Sequence, residues 1–255
     1  MPRPSTHRWL AIGLVSVLLS AFPSIAAANH SWGGYHWART SNPFTVQLGD
    51  NVSGSWDTYL ATASSDWTQS SVLDTQLVAG GAKPRNCRPT RGRDEVCSAS
   101  YGKTGWLGVA QIWITGGTHI TQGTVRVNDT YFKTRSYNTP AWRGLVICQE
   151  IGHTFGLDHQ DENFDNPNLG TCMDYTSNPS GPPSNEHPNM HDYDELVTIY
   201  THLDGFTTVG QDTRTALDGR DWGQQVRGSQ ESRSSLFVKS DGRGNAVLTF
   251  VIWAR

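Results

Sequence analysis

The chain has 255 residues, 36% of them hydrophobic and 17% charged, with a formal net charge of −3, 26 glycines and 10 tryptophans. That length suits one ordinary domain with an appendage, and the composition suits a soluble globular protein poor in ion pairs. The acidic balance gives no reason to expect nucleic acid as a partner.

Residues 1–28 read as a secretory signal peptide. Arg3 and Arg8 supply positive charge, residues 9–22 an apolar run, and Ala26-Ala27-Ala28 a small-residue cleavage site. The run is too short to span a bilayer comfortably. No later stretch is apolar enough to do so. The mature chain is therefore expected to begin near Asn29 and to be secreted, extracellular and free of any membrane partner. It then holds 18 basic against 23 acidic residues, a net charge of −5.

Residues 29–40 form a polar and aromatic lead-in. Residues 44–48 alternate and predict a first strand, turned by Gly49-Asp50-Asn51. Residues 56–73 carry Trp56, Tyr59, Leu60, Ala63 and Trp67 at helical spacing. Residues 75–78 fit a second strand. Residues 80–98 look like a loop, with Lys83, Arg85, Arg88, Arg91 and Arg93 interrupted by Pro84, Pro89 and Gly92. It is either a solvated basic loop or a contact for an anionic partner. Residues 106–114 and 119–132 are two β-rich runs joined by Gly116-Gly117. Asn51-Val52-Ser53 and Asn128-Asp129-Thr130 match glycosylation sequons.

Pro140 can open a helix, its missing N–H harmless in the first turn. Cys148, Ile151 and Phe155 make one buried stripe. On this helix lies Gln149-Glu150-Ile151-Gly152-His153-Thr154-Phe155-Gly156-Leu157-Asp158-His159. Gln149 and His153, four apart, point the same way. Gly156 can end the helix in a left-handed turn, after which the chain can bring His159 back to the same point. Three donors then converge, with the Glu150 carboxylate beside them.

This stretch resembles the metzincin metalloprotease motif H-E-x-x-H-x-x-G-x-x-H, whose three histidines bind catalytic zinc. Glu150, His153, Gly156 and His159 match it, and Gln149 stands where the first histidine would be. Downstream, Cys172-Met173-Asp174-Tyr175 resembles the metzincin Met-turn. Met-x-Tyr is the form of astacins and serralysins, and Met-Asp-Tyr that of pappalysin-like enzymes. The resemblance implies an α+β, metzincin-like zincin: a twisted, mostly parallel sheet with an edge strand, an active-site helix, a Met-turn and a closing C-terminal helix. The strand and helix over residues 44–73 suit the opening of such a fold. One of the two β-rich runs would be the edge strand that receives an extended peptide.

The implied chemistry is that of a zinc hydrolase, with three protein ligands and an open position for water. One Zn2+ per chain would be held by Gln149, His153 and His159. Glu150 would be the general base that takes the water's proton and passes it to the leaving amine. Tyr175 would reach the metal or the developing oxyanion, and Met173 would be the apolar floor. Asp158 and Asp174 would support these groups. Gln149 is the harder and weaker donor, so the site would bind zinc less tightly or admit other metals.

Residues 160–167 are rich in oxygen-bearing side chains. They form a Ca2+ site or a plain polar loop, and their spacing fits no EF-hand. Residues 178–188 are a Pro/Ser/Gly loop. Residues 190–203 predict the closing helix. Residues 235–239 and 246–253 flank Gly242-Arg243-Gly244 as a hairpin. Four cysteines in an exported chain suggest two disulfides. Of three pairings, Cys87–Cys97 and Cys148–Cys172 are expected; the second would tie the active helix to the Met-turn. The division is then signal peptide 1–28, catalytic domain 29–204 and C-terminal extension 205–255. The expected function is that of a monomeric secreted zinc endopeptidase acting on protein or peptide substrates. The alternative is a catalytically silent binding protein on the same scaffold.

Overall fold

A computed structural model describes Met1 and residues 30–213 and 217–255. Apart from Met1, the expected signal peptide lies outside the described residues. In chain order the elements are β1 (His36–Trp37), β2 (Phe44–Asn51), α1 (Asp57–Trp67), β3 (Leu73–Ala79), β4 (Asp94–Ala99), β5 (Trp106–Thr115) and β6 (His119–Asn128). There follow α2 (Asp129–Phe132), α3 (Pro140–Thr154), α4 (Met190–Ile199), β7 (Gln224–Ser229), β8 (Ser234–Ser240) and β9 (Ala246–Trp253). The architecture is α+β: one mixed sheet and few helices. The strand order is β3-β2-β4-β6-β5-β9-β8-β7, with β1 added beside β6. Pairings among β1, β2, β3, β4 and β6 are parallel, and those that involve β5 and β7–β9 are antiparallel. The helices α1 and α3 pack against each other, α3 also against β5 and β6 and α1 against β3.

Three differences from the sequence reading have physical causes. First, residues 94–99 are the strand β4 at the heart of the sheet, not the end of a loop. Its opening Asp94-Glu95 looks like surface, yet both side chains are fully buried. Glu95 is paired with Arg93 at 2.7 Å and accepts from Asn51 Nδ2 and the Gly81 N–H. Asp94 accepts from the Thr154 hydroxyl at 2.6 Å. Second, neither β-rich run is an edge strand. β6 lies between β4 and β5, and the far side of β5 is taken by β9, with Ala110 opposite Phe250. The sequence of β9, AVLTFVIW, is buried along nearly all its length, as apolar runs covered on both faces are. Along this order the sheet ends at β3 and β7, with the two-residue β1 set beside β6 alone. Third, Asn51 and Asn128 of the two sequons are buried. Asn128 Nδ2 donates to the Gly102 carbonyl and the Thr104 hydroxyl, both at 3.0 Å, so these asparagines face inward rather than to solvent.

Residues 235–239 and 246–253 fall in the hairpin β8–β9, which with β7 continues the same sheet. The disulfides are Cys87–Cys97 and Cys148–Cys172. Among the described residues no helix is long and apolar enough to cross a membrane.

Candidate active site

The helix α3 begins where Thr139 caps it, its hydroxyl accepting from the Trp142 N–H, with Pro140 in the first turn. From Leu145 to Thr154 every residue is buried. The helix ends at Phe155, and Gly156 follows at φ +95°. A Cβ there would lie 2.2 Å from the Tyr35 carbonyl oxygen, so only glycine serves. The segment ahead of β1 zips onto this turn. The Trp32 N–H donates to the Gly156 carbonyl at 3.0 Å, and Ser31 bridges Leu157.

That turn brings His159 against His153. The rings meet edge to face, centroids 4.5 Å apart. Gln149, Glu150, His153, His159 and Tyr175 are 0%, 1%, 1%, 8% and 1% exposed. His153 Nδ1 is 2.8 Å from the Leu157 carbonyl, which can only accept. Nδ1 therefore carries the proton, and Nε2 is left to bind a cation. Burial and the neighbouring His159 hold His153 well below the usual histidine range, so the ring is neutral. His159 Nδ1 faces Glu162 at 3.2 Å and Asp158 at 3.4 Å. Burial alone would lower His159, but these two carboxylates outweigh it and leave it raised. His159 Nε2 is buried with no hydrogen-bond partner. Gln149 Nε2 donates to the Cys172 carbonyl at 2.8 Å, which fixes the amide. Gln149 Oε1 is buried and unpartnered.

Glu150 Oε2 is likewise buried and unpartnered. Burial pushes Glu150 well above the usual carboxylate range, and the Ala110 backbone N–H offsets only part of this. In the absence of nearby positive charge the group is a neutral acid. Room for it is made by Gly108 of β5, where an added Cβ would lie 2.5 Å from Glu150 Oε1. Met173 lies beneath the helix: a Cβ on Gly152 would be 2.7 Å from its sulfur. The Cys148–Cys172 bond and the Gln160 N–H on the Met173 carbonyl, 2.7 Å, fasten that turn. Tyr175 packs on His159, ring centroids 4.2 Å apart, and stacks with Phe164 at 4.6 Å. Burial raises the Tyr175 phenol well above its usual range against a Ser234 hydrogen bond, and the Glu150, Glu162 and Asp158 carboxylates add to the rise. It is a phenol, not a phenolate. Asp174 accepts from the Leu169 N–H and the Asn185 amide, which makes it a support of the turn.

The sequence reading missed what covers these groups. Phe250 of β9 stacks flat on His153, centroids 4.3 Å apart and planes 13° from parallel, and Trp32 meets Phe250 at 4.0 Å. Arg227 of β7 grips Asp158 at 2.8 and 2.6 Å and lies 2.9 Å from Glu162. Asp158, His159 and Glu162 form one of two groups of potential metal ligands among the described residues. In this one the Arg227 guanidinium already supplies the positive charge. Gly108 had a signal, an isolated glycine in an apolar run, which marks close approach. Phe250 and Arg227 had none, since a strand pairing across 140 residues and a side-chain contact across 69 leave no local trace. In the loop after His159, Asp161 accepts from the Asn163 N–H and the Asn166 amide, so both its oxygens are engaged within the loop.

No protein-family model matches the chain, and no curated protein matches it.

Proposed function

We propose that the protein is a secreted, metzincin-like zinc endopeptidase that hydrolyses peptide bonds of protein or peptide substrates. The observation behind this reading is that Gln149 Oε1 and His159 Nε2 are both buried without a hydrogen-bond partner, with the His159 ring edge to face on His153, one helical turn beyond Gln149. Buried polar atoms without partners are uncommon, and an ion is one of the groups that can satisfy them. An amide oxygen and two imidazoles, His159 giving up its Nε2 proton as the ion binds, make a neutral donor set that fits one divalent cation. Zinc bound there would supply a water of lowered pKa and polarise the scissile carbonyl.

The chain's own residues do the rest. Glu150 holds a proton at its buried carboxyl and, ionised by positive charge beside it, takes one back. Tyr175, kept protonated, can donate to a developing oxyanion. Met173 and the Cys148–Cys172 bond keep α3 in place. The two disulfides suit an oxidising, extracellular setting.

One observation favours a second reading, a catalytically silent binding protein on the same scaffold. With β9 paired to β5 and Phe250 on His153, an extended peptide cannot add to β5. Digestion of a peptide library with and without chelator separates the two. Chelator-sensitive cleavage is expected; zinc bound with no cleavage across the library selects the silent scaffold.

Gln149→His is expected to tighten the zinc that His153→Ala removes by about tenfold or more, given what even supporting groups are worth at metal sites. The Cys172 carbonyl is in place to take an imidazole N–H. A competition titration with a chromophoric chelator reads the change, and equal affinity would show that Gln149 Oε1 is not a ligand.

A further inference from the structure

The second group of potential ligands lies where β1, the start of β6 and the segment after α4 meet. His36 and His119 are register partners in the parallel pair β1–β6. His202 and Asp204 follow the last turn of α4. Asp204 Oδ1 is 3.5 Å from His36 Nε2, 3.3 Å from His119 Nε2 and 3.8 Å from His202 Nε2. His36 Nε2 and His202 Nε2 are 3.1 Å apart. Four donors held about 2.0–2.1 Å from zinc in a tetrahedron stand about 3.3 Å from one another. His36 Nε2, His119 Nε2 and Asp204 Oδ1 all lie within 4.8 Å of one another. His202 Nε2 stands beside two of them, 3.1 Å from His36 and 3.8 Å from Asp204, and its half-exposed side chain can turn in to close the fourth corner.

The supporting groups fit as well. His36 Nδ1 donates to the Gly34 carbonyl at 2.6 Å, which leaves its Nε2 as the ligand nitrogen and sets the ring, as at known metal sites. Asp204 Oδ2 is taken by Arg39, through its backbone N–H at 3.2 Å and Nη1 at 2.9 Å, so Oδ1 alone faces the imidazoles. Arg39 Nη2 also donates to the His202 carbonyl, and the Arg39 carbonyl accepts from the Asp204 N–H at 2.9 Å. Buried Arg39 thus shapes the segment that presents both ligands. His202 is half exposed and gives a path for entry, whereas His36 and Asp204 are almost fully covered.

We propose that His36, His119, His202 and Asp204 form a structural zinc site that clasps the lead-in segment and the segment after α4 to the sheet. With four protein ligands it has no open position, which is the pattern of structural rather than catalytic zinc. It shares no residue with Gln149, His153 and His159 and does not depend on the peptidase reading.

The test is made on the full chain with zinc alone as the probe. His202→Ala removes a ligand at the surface and is expected to lower zinc content by about one per chain after gel filtration, or to weaken that zinc at least tenfold. Cleavage, where present, is expected to stay with His202→Ala and to vanish with His153→Ala, so the two sites are read apart. Crystals of the parent soaked in zinc are expected to give an anomalous peak bonded to the three Nε2 atoms and Asp204 Oδ1. Equal zinc binding by His202→Ala and parent, or no anomalous peak among these four residues, overturns the proposal.

Discussion

Glu150→Gln is expected to keep the zinc of the parent and to lose peptide cleavage by about two to four orders of magnitude, the usual worth of a positioned acid or base. Glutamine has nearly the shape of glutamate, so it fits the space Gly108 leaves and can still accept from the Ala110 N–H. What it cannot do is gain and lose a proton. Glu150 is well placed for that. It follows Gln149 on the helix and precedes His153 by three residues, one oxygen is unpartnered, and burial makes its charge state respond strongly to whatever charge stands nearby. Zinc content and kcat/KM measured on one preparation decide the matter. Cleavage equal to the parent's would mean that another group moves the proton. Lost zinc together with lost cleavage would mean that Glu150 acts through the metal ligands instead.

The elements that carry these groups were legible where the signal is local. The helix α3 follows from Thr139-Pro140, the stripe through Cys148, Ile151 and Phe155, and Gly156, all within one span. The hairpin β8–β9 follows from two apolar runs about a glycine turn. The disulfide Cys148–Cys172 follows from two cysteines, each just ahead of a motif. Long-range pairing was not legible. Nothing in residues 246–253 says that they will lie against residues 106–114, because a strand's apolar pattern states that it must be covered and not by what. The same holds for the histidines. His36, His119 and His202 are scattered singly, with no spacing to read, and only the parallel register of β1 on β6 and the Arg39 clamp gather them. β4 was missed for a different reason. Its two leading carboxylates are those of a surface turn, and their partners, Thr154 and Arg93 among them, come partly from distant chain.

Asp94 turns that last point into a measurable pH dependence. Its side chain is fully buried, one oxygen accepts from Thr154 and the other has no partner. A Cβ on Gly123 would lie 2.0 Å from that second oxygen, so there is little room for water. Burial raises the carboxyl to about 8, with the Thr154 hydrogen bond opposing and the Glu95 charge adding to the rise. The sign follows from which state holds the proton. Below about pH 4 folded and unfolded chains both carry it, and Asp94 costs nothing. Between about pH 4 and pH 8 the unfolded chain releases the proton and the folded chain does not, so stability falls by about 1.4 kcal/mol per pH unit. Above about pH 8 both are ionised and the loss levels off at about 6 kcal/mol, a large share of a domain's total stability. Asp94→Asn mimics the protonated acid at every pH and still accepts from Thr154. Its stability is expected to match the parent's near pH 4 and to exceed it by several kcal/mol at pH 8, roughly 10 °C or more in Tm for a chain of this length. Thermal or urea melts of the two proteins from pH 4 to pH 9 check this. Curves that stay parallel across the range would mean that Asp94 is ionised in the fold. The junction between β4 and the end of α3 would then have to hold an ionised carboxylate on the Thr154 hydroxyl alone.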